Sequence, residues 1–159
     1  MFADPLTERL AAFVHGVGVE VRPAALAADT FLPGLLIHDG AILVDEDRLA
    51  HPGDLLHEAG HLAVTDPAGR GAPTLDPTPA EEMAAIAWSY AALVHLALPP
   101  RVVFHPGGYK GGSEALIEAF TRTSAFGTPM LLWCGMTLDP KAAAQRGLEP
   151  YPHMLRWLR

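Results

Sequence analysis

The sequence predicts an α+β fold in a single domain spanning residues 1–159. Three observations lead there. The chain opens with a helical repeat, continues with one short hairpin signature, and then shows recurring helix starts and stops without further alternating strands.

The first helix is expected at residues 5–15, where Leu6, Leu10, Phe13 and Val14 recur at three-and-four spacing around Glu8 and Arg9. Gly16 and Gly18 end it, and a short β-rich piece follows at residues 19–21. Leu35-Leu36-Ile37, the pair Asp39-Gly40 and Ile42-Leu43-Val44 form a hairpin, because Asp-Gly suits a type I′ turn whose two residues both need positive φ. The sheet is therefore expected to be small and antiparallel. Pro52 and Asp54 open a helix that carries residues 55–64, with Asp54 near the positive end of its dipole. Residues 66–79 hold too much Pro and Gly for regular structure. Thr78-Pro79-Ala80-Glu81 is a capping-box start for the next helix, expected to run to Leu98 before Pro99-Pro100. Residues 102–104 read as a short extended piece and residues 107–112 as a glycine-rich loop. Helices from Ser113 and Thr128-Pro129, a polar stretch, and a last helix at 154–158 complete the expectation.

Composition excludes several classes. Half the residues are hydrophobic and 18% are charged, which rules out a disordered chain. A net charge of −7 with only Lys110 and Lys141 as lysines disfavours direct nucleic-acid binding, which needs clustered positive charge. Cys134 stands alone, so it can form neither an internal disulfide nor a thiolate metal knuckle. The stretch from Met1 to Arg9 has no basic leader or apolar run, and the apolar window at 83–98 is interrupted by Ser89, Tyr90 and His95. A cytoplasmic location without a membrane partner is the resulting expectation.

The eight histidines are the unusual feature, and His57-Glu58-Ala59-Gly60-His61 gives two of them meaning. On a helix, residues four apart lie ~40° apart around the axis and ~6 Å along it, so both imidazoles reach one metal ion. Zinc is the ion such a pair predicts. Glu58 beside them has the place of a general base that takes a proton from the attacking water and returns it to the leaving amine. Gly60 costs a helix interior about 1 kcal/mol relative to Ala, which points to another element packing closely there. A third ligand is expected from Glu82, because Glu81 is the capping-box acid; Glu81 is the alternative. Tyr109, and His105 just before the glycine-rich loop, are candidates to stabilise an oxyanion. His15, His38, His51 and His153 show no ligand spacing, and His95, with Trp88 and Tyr90 on the same helix, reads as a core or supporting residue. An edge of the sheet at residues 35–44 is positioned to hold an extended peptide by β-augmentation.

The hairpin ending Ala41-Ile42-Leu43-Val44-Asp45, the His-Glu-Ala-Gly-His helix and the segment Glu82-Met83-Ala84-Ala85-Ile86-Ala87 resemble the ImmA/IrrE-type HExxH zinc metallopeptidases over about residues 18–100. In that family an acidic ligand is followed four and five residues later by Phe-Ala, places held here by Ile86-Ala87. The usual Asn two residues after the ligand is Ala84, and the Pro closing the helix comes later, at Pro99. The resemblance implies a zincin-like helical core, His57, His61 and Glu82 as zinc ligands, and Glu58 as the catalytic acid. It also implies a peptide or protein substrate, such as a transcriptional regulator. The alternative is a catalytically silent module of the same fold that acts by docking to a protein partner.

Overall fold

A computed structural model describes residues 1–27, 29–123 and 126–159. The order of elements places a small sheet ahead of most of the helices, as an α+β chain should. Helix α1 (Pro5–Gly16) begins at Asp4, whose carboxylate accepts the Thr7 N–H at 2.7 Å, and Pro5 fits its first turn. Its apolar stripe buries Leu10 and Val14 against α2 (Asp54–Val64) and the first strand.

The strands are β1 (Glu20–Pro23), β2 (Leu35–His38) and β3 (Ala41–Val44), in the order β1-β3-β2. β2 and β3 form the expected hairpin, with Asp39 at φ 50° and Gly40 at φ 75°. The sheet is mixed rather than wholly antiparallel, because β1 runs parallel to β3 from Glu20↔Ala41 to Pro23↔Val44. A two-residue turn forces its own strands antiparallel, whereas β1 reaches the far side of β3 through the long segment between Pro23 and Leu35, which leaves its direction free. β2 is thus an edge strand.

Helix α3 (Pro79–His95) has the capping box: Glu81 N–H donates to Thr78 Oγ1, and the Glu81 carboxylate accepts from the Thr78 N–H at 2.9 Å. It ends at His95 rather than Leu98, because Ala97 takes φ 50° and the Leu98 N–H turns back to the Leu93 carbonyl. Residues 100–102 form a 3₁₀ turn instead of an extended piece, with Phe104 N–H bonded to the Pro100 carbonyl. Then come α4 (Ser113–Thr123), α5 (Pro129–Trp133) and α6 (Pro140–Arg146). Helix α6 lies in the stretch expected to be merely polar. Its signals were present: Asp139 caps the Lys141 and Ala142 N–H groups, and Gly147 closes it at φ 63°. The expected last helix at 154–158 is absent, because that backbone bonds elsewhere: Thr137 pairs with Met154, and Leu155 N–H donates to the Met136 carbonyl.

One contiguous apolar core joins α1, the sheet, α2, α3 and the C-terminal segments. Trp88 is fully buried at its centre and donates its indole N–H to the Trp157 carbonyl at 2.9 Å. No helix among the described residues is long and apolar enough to cross a membrane.

Candidate metal centre

α2 and α3 pack against each other more extensively than any other pair of elements, and Gly60 is the reason they can approach. A Cβ on Gly60 would lie 2.7 Å from the Ala85 carbonyl oxygen and 3.2 Å from its Cα. That contact sits on α2 between His57 and His61, and on α3 one turn after Glu82. The Ser89 hydroxyl lies in the same seam, donating to the Ala85 carbonyl of its own helix at 2.8 Å and lying 3.3 Å from the Leu56 carbonyl of α2.

Close approach of the helices brings three donors to one point. His57 Nε2 and His61 Nε2 are 3.0 Å apart, and the Glu82 carboxylate oxygens lie 3.4 Å from the first and 3.3 Å from the second. Among the described residues these three form the only group of three or more His, Cys, Asp or Glu side chains able to hold a metal ion. Glu81 is occupied by its cap, and Glu82 is the acid that meets the histidines.

The electrostatics suit a cation. Burial, and then the neighbouring His61, pushes His57 down to about 3, while burial also lowers His61 against the opposing pull of Glu82 and Glu81. Both rings are therefore neutral at physiological pH and present lone pairs. Two imidazole nitrogens and a carboxylate facing one another are all acceptors except for whatever protons the rings carry. A divalent cation satisfies all three at once, so the donor set fits a metal ion.

Glu58 follows His57 and faces the same cleft. Burial, then the Asp54 and Glu82 carboxylates, raises it to about 7. A cation held by the triad would supply an opposite charge and draw it back down. Among the described residues its carboxylate makes no hydrogen bond or ion pair.

The cleft encloses about 1250 Å³. The triad lies within it, flanked by Leu32, Ile37 and Leu75 on the sheet and loop side and by Ile86, Leu116 and Phe126 from the helical half. Tyr109 also lines it, but its hydroxyl meets His57 at Nδ1, 3.3 Å away, not at the Nε2 that faces Glu82. Burial keeps that phenol well above its ordinary range and hence neutral. His105 is occupied too: its Nε2 bonds the buried Asp54 carboxylate at 2.9 Å, and its ring stacks on His51 with centroids 3.6 Å apart. The Asp54–His105 pair and the His51 stack were not evident from spacing, since their partners lie about fifty residues apart along the chain. The other histidines stand away from the triad, with His38 pairing locally to Asp39.

Comparisons with protein-family models, with curated proteins and with solved structures returned no match.

Proposed function

We propose that this chain is a zinc-dependent metallopeptidase with a zincin-like core, acting on a restricted protein substrate such as a transcriptional regulator. The observation that carries this reading is the convergence of His57, His61 and Glu82 with, at their side, a half-buried Glu58 that faces the cleft and has no hydrogen-bond or ion-pair partner among the described residues. Two histidines and a glutamate are a catalytic zinc set, which leaves one position open. The two Nε2 atoms are 3.0 Å apart and each lies 3.3–3.4 Å from a different oxygen of the Glu82 carboxylate, so these three side chains would hold the ion between them. When bound, zinc acts as a Lewis acid that eases deprotonation of water and polarises a substrate carbonyl.

The chain's own residues then divide the work. Glu58 orients the attacking water, takes its proton on a carboxylate oxygen and passes it to the leaving nitrogen as the C–N bond breaks. A carboxylate that faces the cleft beside the triad and makes no structural contact of its own favours this reading over a silent docking module. The edge strand β2 offers a backbone to an extended substrate. Pairing alternates along the hairpin, so the Ile37 N–H and C=O point away from β3 while its side chain lines the cleft. The apolar walls favour bulky apolar side chains near the scissile bond.

The test is a peptide-library digest with zinc-loaded wild type and Glu58→Gln. The wild type is expected to cleave a narrow set of peptides, and the variant to keep its zinc while losing 10²–10⁴ in rate. Equal cleavage by both proteins, or none by a fully zinc-loaded wild type, overturns the reading.

A further inference from the structure

We infer that Tyr109 is a positioning residue of the metal centre: its phenol oxygen accepts the Nδ1–H of His57 and holds that ring with Nε2 bare towards His61 and Glu82. The inference rests on the reading of the triad as a metal site.

A neutral imidazole carries one proton, and the nitrogen that ligates cannot be the one that holds it. For His57 Nε2 to present a lone pair, Nδ1 must be protonated and needs an acceptor. The Tyr109 oxygen is at that place, 3.3 Å away, with the two rings nearly perpendicular at 86°. The contrast with His61 is informative, because its buried Nδ1 has no hydrogen-bond partner among the described residues. Of the two helix ligands, His57 alone has a side-chain partner at Nδ1.

The chain is strained to make this contact. Tyr109 and Lys110 adopt φ 54° and 52°, in the left-handed region that non-glycine residues avoid. Neighbouring contacts hold the turn in place. His105 Nε2 and Asp54 Oδ1 tie the start of the loop to the first turn of α2, one helical turn before His57. The Ser113 hydroxyl donates to the His105 carbonyl at 2.6 Å from the other end, and the Tyr109 ring packs on Phe104. A Cβ at Gly108 would come within 3.2 Å of the His105 ring, so glycine is what lets the loop close over that ring. The metal helix thus anchors, through Asp54, the loop that returns Tyr109 to it. Partners of this kind, which orient a ligand without touching the metal, typically account for 10–100-fold in metal affinity.

The test uses the full chain and Tyr109→Phe, which keeps the ring against Phe104 and removes only the hydroxyl. Two quantities are read: zinc affinity by chelator competition, and the His57 tautomer in metal-free protein by side-chain ¹⁵N NMR. The expected result is a 10–100-fold loss of zinc affinity together with loss of the Nδ1–H preference, at an unchanged circular dichroism spectrum. Asp54→Asn should shift both quantities in the same direction, and adding it to Tyr109→Phe should produce less than the sum, since both act through one contact chain. Zinc affinity within twofold of wild type with the tautomer unchanged overturns the proposal, whether or not cleavage is lost; lost cleavage alone would place Tyr109 on the substrate instead. If the wild type takes no zinc yet the tautomer responds to Tyr109→Phe, the positioning contact stands and the metal reading fails.

Discussion

Replacing Gly60 by Ala tests whether helix packing sets the metal site. By local propensity the change should stabilise, since Ala is favoured over Gly inside a helix by about 1 kcal/mol. The new Cβ, however, would stand 2.7 Å from the Ala85 carbonyl oxygen, and ordinary contact begins near 3.4 Å, so α2 and α3 must part by roughly 0.7 Å there. Backbone on a packed helix does not yield as a flexible side-chain tip would. Overpacking of this kind costs ~1–3 kcal/mol, which leaves a net destabilisation of up to about 2 kcal/mol. The more specific consequence falls on Glu82, one turn before Ala85. Carrying its carboxylate ~0.7 Å outward would stretch its 3.3–3.4 Å separations from the histidines to about 4 Å. Urea denaturation of metal-free protein, paired with zinc competition titration, separates the two effects. The expected outcome is lower stability together with at least a tenfold loss of zinc affinity. A Gly60→Ala protein that is ~1 kcal/mol more stable and binds zinc as the wild type does would refute the packing argument.

Other substitutions address separate links in the chain. Glu81→Ala should cost about 1 kcal/mol in thermal or urea melts by removing half of the capping box, while zinc affinity stays within a few fold. Gly53→Ala should be the harshest of the glycine changes, since its Cβ would fall 1.7 Å from the Val102 carbonyl oxygen. A loss above ~3 kcal/mol, or failure to express as folded protein, is expected. Ile37→Pro removes an N–H that points off the edge of β2, so it should abolish cleavage in the peptide digest with zinc content intact; retained cleavage would remove the edge strand from substrate binding.

The parts of the site that sequence made legible were those fixed by short-range geometry. His57 and His61 share a helix face by their spacing, Thr78 and Glu81 identify each other as a cap, and that occupation leaves Glu82 for the metal. The cost of Gly60 in a helix signalled a close neighbour, though not which one. The hairpin was legible from Asp39-Gly40, whereas the parallel β1–β3 pairing was not, because nothing local dictates the direction in which a long connection returns. The roles of Tyr109 and His105 depended on contacts across about fifty residues: Tyr109 meets the outer nitrogen of His57, and His105 is occupied by Asp54. Helix α6 is not signalled by an apolar stripe, because its middle is polar and alanine-rich, although Asp139 and Gly147 bracket it.

The most direct measurement of the central claim is zinc stoichiometry, by elemental analysis after equilibrium dialysis, of wild type, His57→Ala, Glu82→Ala and Glu81→Ala. About one zinc per chain is predicted for wild type and Glu81→Ala, with the ion lost from the other two. A wild type that retains no zinc, or a Glu82→Ala protein that retains it as the wild type does, would contradict the assignment of the centre.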